Sequence, residues 1–369
     1  MDKPLIKADV SLSRLQLINF RCFSRYVINI DSPILLIEGD NGLGKTSILE
    51  ALYYTCYLRS FRTHSPKELI LFNAQEFFIK VDLKIGSDAF SHSIQIGFSS
   101  KKRLVKVDDK LIHSYKTLMT HYRVVSVTEM DLEIIQGAPV ARRLFLDQTL
   151  MLLDPTYAQK LRVYRQVLDQ RNALLQRVFN HEMYTILTEQ LWAYAKEIEL
   201  LRRDIVENIK EQMCLLSTID IADDHYMEID LRYKSRRILA ENLEDFYQKN
   251  PQLLEQERHF RRTLFGPHLD DLTILLQGKV GRTYASRGQQ KHMVILFKMA
   301  QLNLLKNQGH SGICLLDDFL TDFDFSRAIM LINRLSGLGT QLIFTSPLTA
   351  GKLSQELKSR GAQSIKLTE

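Results

Sequence analysis

Two short stretches carry residue types suited to handling phosphates. In the first, Gly39-Asp40-Asn41-Gly42-Leu43-Gly44-Lys45-Thr46, the glycines allow backbone N–H groups to turn inward as an anion nest. An apolar run (residues 33–38, PILLIE) leads into it and a helical run follows, so the loop ends on a helix N-terminus with its partial positive charge. Lys45 is then placed to reach the β- and γ-phosphates of a nucleoside triphosphate, and the Thr46 hydroxyl to ligate Mg²⁺. The second stretch is Asp317-Asp318, at the end of the apolar run ICLL. Asp317 suits the orientation of Mg²⁺, and Asp318 stands where a carboxylate would polarise an attacking water. Asp318 is one methylene shorter than Glu, which points to slow hydrolysis. ATP and Mg²⁺ are the expected cofactors, with Lys45 and Asp318 in catalytic roles and Thr46 and Asp317 on the metal.

Each stretch needs an element to hold it. Residues 26–30 (YVINI), 77–85 (FFIKVDLKI) and 92–98 (HSIQIGF) alternate with period two, as half-buried strands do. Residues 33–38, 312–318 (GICLLDD) and 340–346 (TQLIFTS) are continuous apolar runs, which suit central strands of a parallel sheet covered on both faces. Of 16 glycines, none falls between Gly137 and Gly266, and that gap predicts long helices. Inside it Leu187, Leu191, Tyr194, Ile198, Leu201, Ile205, Ile209, Met213 and Leu216 recur at steps of three and four, the seam of a helix of about 30 residues and roughly 45 Å. The expected architecture is an α/β ATPase head built from residues 1–150 and 266–369, with a mostly helical arm, 151–265, inserted in it.

A third stretch, Ser286-Arg287-Gly288-Gln289, opens an apolar helix. By itself Ser286 reads as an N-cap. With Gly288 allowing close backbone approach, the stretch also makes an anion-binding helix end, and it resembles the signature motif of ABC-type ATPases, the class that includes the SMC proteins. That resemblance implies a nucleotide held between the loop of one copy and the signature of the other. Ser286, Gly288 and Gln289 would then bind ATP across an ATP-dependent homodimer with a two-fold axis.

The resemblance narrows over nearly the whole chain. LSRLQLINFRCF (12–23), LRSFRT (58–63), QGAPVARRLFLD (136–147), YRQVLDQRNALL (164–175), GPHLDDL (266–272) and ASRGQQK (285–291) resemble blocks of the RecF family, in family order. Asp324 matches the family's acidic residue that communicates across the dimer. Membership implies an ATP-dependent DNA-binding protein of recombinational repair, acting at gaps and stalled forks with RecO and RecR to help load RecA, tied to replication and the SOS response, with slow hydrolysis resetting binding. The sequence departs from the family pattern at Leu58 (usually Gly), Glu129 and Met130 (usually Pro-Glu) and Leu269 (usually Arg). No glutamine matches the Q-loop, and Thr345-Ser346 stand where transporters have a histidine.

Candidate phosphate contacts on DNA are Arg59, Arg62, Lys101, Lys102 and Arg103, with Arg142-Arg143 and Arg202-Arg203 as further pairs. A net charge of +6 permits a polyanion partner without demanding one. The pattern lacks aromatic-rich strands for stacking single-stranded bases, so sequence-independent backbone binding is expected. Cys22, Cys56, Cys214 and Cys314 form no Cys-x-x-Cys pair, which argues against a zinc site and for a reducing compartment. With no signal-like start and no apolar run near 20 residues, a cytoplasmic protein without a membrane partner is expected. A transporter subunit does not usually carry so long a glycine-free insertion. An SMC tether needs a far longer arm, and a small-molecule kinase would lack residues 286–289.

Overall fold

The computed structural model describes residues 10–86, 90–100, 102–112, 118, 122–177, 179–218, 227–236, 240–318, 323–347 and 351–368. It divides into two compact units, Met1–Leu132 with Arg287–Glu369, and Glu133–Ser286. The expected arm, 151–265, lies within the second unit. The unit also takes in residues 133–150 and 266–286, because the Pro139–Leu153 helix packs on the long helix His181–Thr218 and on the strand Asp271–Leu276.

In the first unit a five-stranded sheet runs in the order Gln363–Lys366, Ile34–Glu38, Gln341–Ser346, Ile313–Leu316, Val124–Val127, with every neighbouring pair parallel. Its central strands are buried on both faces, as their unbroken apolar runs require. An antiparallel sheet has the order Phe23–Asn29, Val10–Phe20, Glu76–Ile85, Phe90–Ser99, Arg103–Val107, Lys110–Leu111. The Lys45–Tyr57 helix contacts strands of both sheets and is buried from Ser47 onward, so an amphipathic pattern would be out of place in it. Gln341 fastens the two sheets: its amide accepts from the Leu12 N–H (2.7 Å) and donates to the Leu12 carbonyl (3.0 Å).

Leu58 ends that helix at φ 50°, in the left-handed region, with its N–H donating to Tyr54 O. The family's usual glycine at this position suits such a helix end. Here a buried leucine accepts the backbone strain, about 1 kcal/mol, and gains core contacts.

In the second unit the helices Pro139–Leu153, Tyr157–Gln176 and His181–Thr218 account for most of the glycine-free gap. The last has 38 residues, roughly 57 Å, longer than expected. Its buried stripe runs Leu187, Leu191, Ala195, Ile198, Arg202, Ile205, Ile209 and Met213. Tyr194 and Leu201 of the expected seam are only half-buried. The gap also holds a strand, Ile229–Lys234, paired antiparallel with Asp271–Leu276 in a three-stranded sheet completed by Lys279–Val280. The unit is therefore helical with one small sheet.

The family-like blocks of this unit tie its core together. Arg171 is fully buried. It donates to Glu257 (2.6 Å), Thr263 (2.9 Å) and Thr188 (3.1 Å), with Tyr184 also donating to Glu257 (2.7 Å). Gly266 sits at φ 108° against the Tyr164 hydroxyl, which is 2.6 Å from His268 Nδ1. Burial lowers the pKa of His268 to about 4, so the ring is neutral at physiological pH.

Candidate functional site

The loop 39–44 joins the Ile34–Glu38 strand to the Lys45–Tyr57 helix, as its glycine spacing foretold. Gly42 and Gly44 both adopt φ 93°, a conformation that L side chains rarely take. At Gly44 space forbids a side chain as well, since a Cβ there would lie 2.5 Å from Cys22 Sγ and 2.8 Å from Phe23 Cζ. The strand that delivers the loop is anchored by Glu38, which accepts from Ser354 (2.6 Å), Lys358 (2.7 Å) and Ser364 (2.5 Å). Burial opposes the charge on Glu38, but these donors prevail and hold its carboxyl down at about 2.

Lys45 curls over its own loop. Its ammonium donates to Gly39 O (2.8 Å) and Asp40 O (3.2 Å) and stands 4.0 Å from Asp318 Oδ2. Thr46 Oγ1 donates to Asp317 Oδ1 at 3.0 Å, so the two expected metal ligands meet although far apart in the chain. Burial raises the pKa of Asp317 against the hydrogen bonds from Thr345 and Thr46, and the adjacent Asp318 adds to the rise. A divalent cation would favour the ionised carboxylate. Asp318 takes φ 48°, and its half-exposed side chain lines the cleft beside Lys45 and Thr46. Hydroxyl, carboxylate and lysine together fit a magnesium–triphosphate group, which takes few protein ligands and completes its shell with phosphate and water oxygens.

Thr345 belongs to this group, though the sequence marked it only as a missing histidine. Its hydroxyl donates to Asp317 Oδ1 (2.9 Å) and accepts from the Asp318 N–H (2.8 Å), fixing one carboxylate and the backbone of the other from the neighbouring strand. Replacing Thr345 by Val leaves the partly buried Asp318 N–H and Asp317 carboxylate without this partner. A loss of about 1–3 kcal/mol of stability is expected, read as a lower denaturation midpoint, and Thr345→Ser restores most of it.

The cleft around the loop has a volume of about 580 Å³. Arg62, a candidate DNA contact, lines this cleft and pairs with the buried Glu50 at 3.7 Å. Glu50 also takes a two-pronged contact from Arg21 (2.6 and 2.8 Å) and a hydrogen bond from Ser60. Arg21, absent from the expected site, lines the same cleft. Nothing in its sequence context distinguished it beyond the family-like block in which it lies.

Residues 286–289 are all exposed. The division between the two units falls directly after Ser286, at the head of the Arg287–Asn307 helix. A Cβ at Gly288 would meet nothing within 4 Å, and the first turn of the helix has no acidic residue. Beyond that turn the helix is buried almost all round, from Gln290 to Leu302, which explains its apolar sequence. Its position is held by Lys298 on Asp131 (2.6 Å) and by Lys291 and Arg287 on Glu129. Glu129 thus supplies an ion-pair partner to this helix. Asp324 is the N-cap of Phe325–Gly337, accepting from Arg327 N (2.9 Å) and Ser326 Oγ (2.6 Å), and these bonds lower its pKa.

The remaining basic candidates divide. Arg103 donates to Leu58 O (3.0 Å), Arg59 lies 6.0 Å from the Tyr57 ring centroid, Lys102 is exposed, and Lys101 lies outside the described residues. In each of the two further pairs one arginine is held within the fold: Arg142 grips Asp271 with two hydrogen bonds, and Arg202 is buried on Asp147. Their partners Arg143 and Arg203 reach Asp270 O and Glu199.

Among the described residues no helix is long and apolar enough to cross a membrane. A family model described as an AAA domain matches residues 14–262. The DNA replication and repair protein RecF of Oceanobacillus iheyensis is 33% identical over 344 residues, covering 88% of this chain and 90% of the relative. RecF of Clostridium acetobutylicum is 29% identical, covering 94% and 95%. The solved structure of the recombination mediator protein RecF with ATP, of the RecFOR pathway, superposes with a TM-score of 0.83 at 25% identity, covering 93% of each chain. The Smc head domain of Pyrococcus furiosus superposes at 0.51 with 16% identity, which speaks to the fold. The chain has the P-loop ATPase fold of the AAA and SMC-head type, and it belongs to the RecF family of DNA replication and repair proteins.

Proposed function

We propose that this chain is an ATP-switched DNA-binding protein of recombinational repair. ATP closes two copies into a dimer that holds DNA, and slow hydrolysis opens it. The observation that carries the reading is the Thr46–Asp317 hydrogen bond at 3.0 Å, beside a lysine already folded over the glycine loop. In the bound state Mg²⁺ would supply positive charge to the phosphates and to the leaving group.

The protein's own groups perform the rest. Lys45 exchanges the carbonyls of Gly39 and Asp40 for phosphate oxygens. Residues 39–46 present their N–H groups, and Thr46 and Asp317 hold the metal side. Asp318 accepts a hydrogen bond from the attacking water, its backbone fixed by Thr345. Ser286, Gly288 and Gln289 of a second copy bring an exposed helix end to the same phosphates, with Asp324 relaying closure. Because neither copy completes the pocket alone, nucleotide and dimer are linked: ligand that binds only the closed form stabilises it by mass action.

RecO and RecR are the proposed partners, with RecA loading the outcome, as for the RecF named in the RecFOR pathway. Arg59, Arg62, Lys101, Lys102 and Arg103 are the proposed DNA contacts on the closed dimer. The test is DNA binding with ATP and Mg²⁺ across a salt series. Affinity should fall about 10³-fold or more between 50 and 200 mM salt if six or more phosphates are contacted, and vary little with sequence. Salt-insensitive, base-specific binding would contradict the reading.

A further inference from the structure

The nucleotide cleft carries an aromatic ring that the phosphate chemistry does not use. Phe72 lines it with Ile70 and Leu71, together with Asn41, Arg21 and Arg62, and is 88% exposed. Single exposed apolar residues are ordinary, but this one is presented by a fastened backbone. The Leu71 N–H donates to Asn19 O (2.9 Å), the Arg21 N–H to Leu69 O (2.7 Å), and Ile70 bridges Phe20 at the end of the Val10–Phe20 strand. The turn then closes with the Ala74 N–H on Leu71 O (2.9 Å), and Asn73 at φ 67°. Phe72 therefore stands at the tip of a pinned turn, at the rim of the cleft that holds the loop 39–44.

We propose that Phe72 is the stacking platform for the purine base of the bound nucleotide, with Ile70 and Leu71 extending its apolar face and Arg21 and Arg62 beside the ribose and first phosphate. This rests on the reading of the loop as a triphosphate site. A phenyl ring accepts any base by its π-face, so Phe72 supplies affinity and orientation without choosing adenine over guanine.

The experiment titrates the full chain with two probes, Mg-ATP and Mg-tripolyphosphate, which has the phosphates and no base. Phe72→Ala should weaken ATP about tenfold and leave tripolyphosphate within about twofold, while Phe72→Trp keeps ATP affinity. GTP should weaken in parallel with ATP. The inference is overturned if Phe72→Ala binds ATP like the parent chain, or if it loses tripolyphosphate as much as ATP, which would make the ring a support for the loop. If the parent chain binds neither probe, the triphosphate reading fails first and this inference with it.

Discussion

Ser286→Arg is expected to leave ATP affinity within about twofold of the parent chain while weakening ATP-dependent dimerisation by about 100-fold or more. Ser286 is exposed at the head of a helix whose residues 287–289 are exposed too, so solvent accommodates the longer side chain in the single copy. The obstruction arises only when a second copy closes. A guanidinium on a flexible stem then occupies the space through which the helix end must approach the phosphates. Fitting that bulk into a closed interface holds the helix end away from the phosphates, and a 100-fold loss corresponds to about 2.7 kcal/mol. Calorimetry for ATP and light scattering for mass separate the two effects, and DNA binding should fall with the dimer. Loss of ATP binding in the same proportion as the dimer would place Ser286 in the nucleotide site of its own chain.

Lys45→Met should fail earlier, at nucleotide binding. The methionine fits the lysine's buried position, where only 5% of the side chain is exposed, so the fold survives. What disappears is the ammonium that donates to Gly39 O and Asp40 O, and with it the charge-assisted bonds to the phosphates that replace them. Hydrogen bonds to charged groups contribute about 1.5–3 kcal/mol each. An ATP affinity lower by about 100-fold or more is expected, with dimer and DNA binding lost in consequence. The two variants thus break the same chain of events at different links.

The parts of this account that were legible in the sequence are those fixed by local pattern. Apolar runs marked the strands Ile34–Glu38, Ile313–Leu316 and Gln341–Ser346, and glycine spacing marked the loop between strand and helix. The pairing of Thr46 with Asp317 could be expected because both element types and their order suit it. What local pattern hid was anything made by side chains meeting across strands. Thr345 looked like a vacancy for histidine, yet it links the Asp317 carboxylate to the Asp318 backbone N–H. Arg62 looked like a free surface cation, but the buried Glu50 holds it at the cleft around the loop 39–44. Arg142 and Arg202 looked equally free until Asp271 and Asp147 came into contact with them. The strand Ile229–Lys234 was masked because a lack of glycine implies an absence of tight turns, not the presence of helix. The stripe on the long helix drifted from the expected seam because its 3.6-residue period brings Ala195 and Arg202 inward in place of Tyr194 and Leu201.

The most direct test of two copies closing on shared nucleotide is the mass of the purified chain, by light scattering, with a non-hydrolysable ATP analogue and Mg²⁺ at saturation. The account predicts twice the 42.9 kDa monomer mass, returning to the monomer value when nucleotide is removed. A chain that binds the analogue tightly and remains at the monomer mass at every concentration would contradict it.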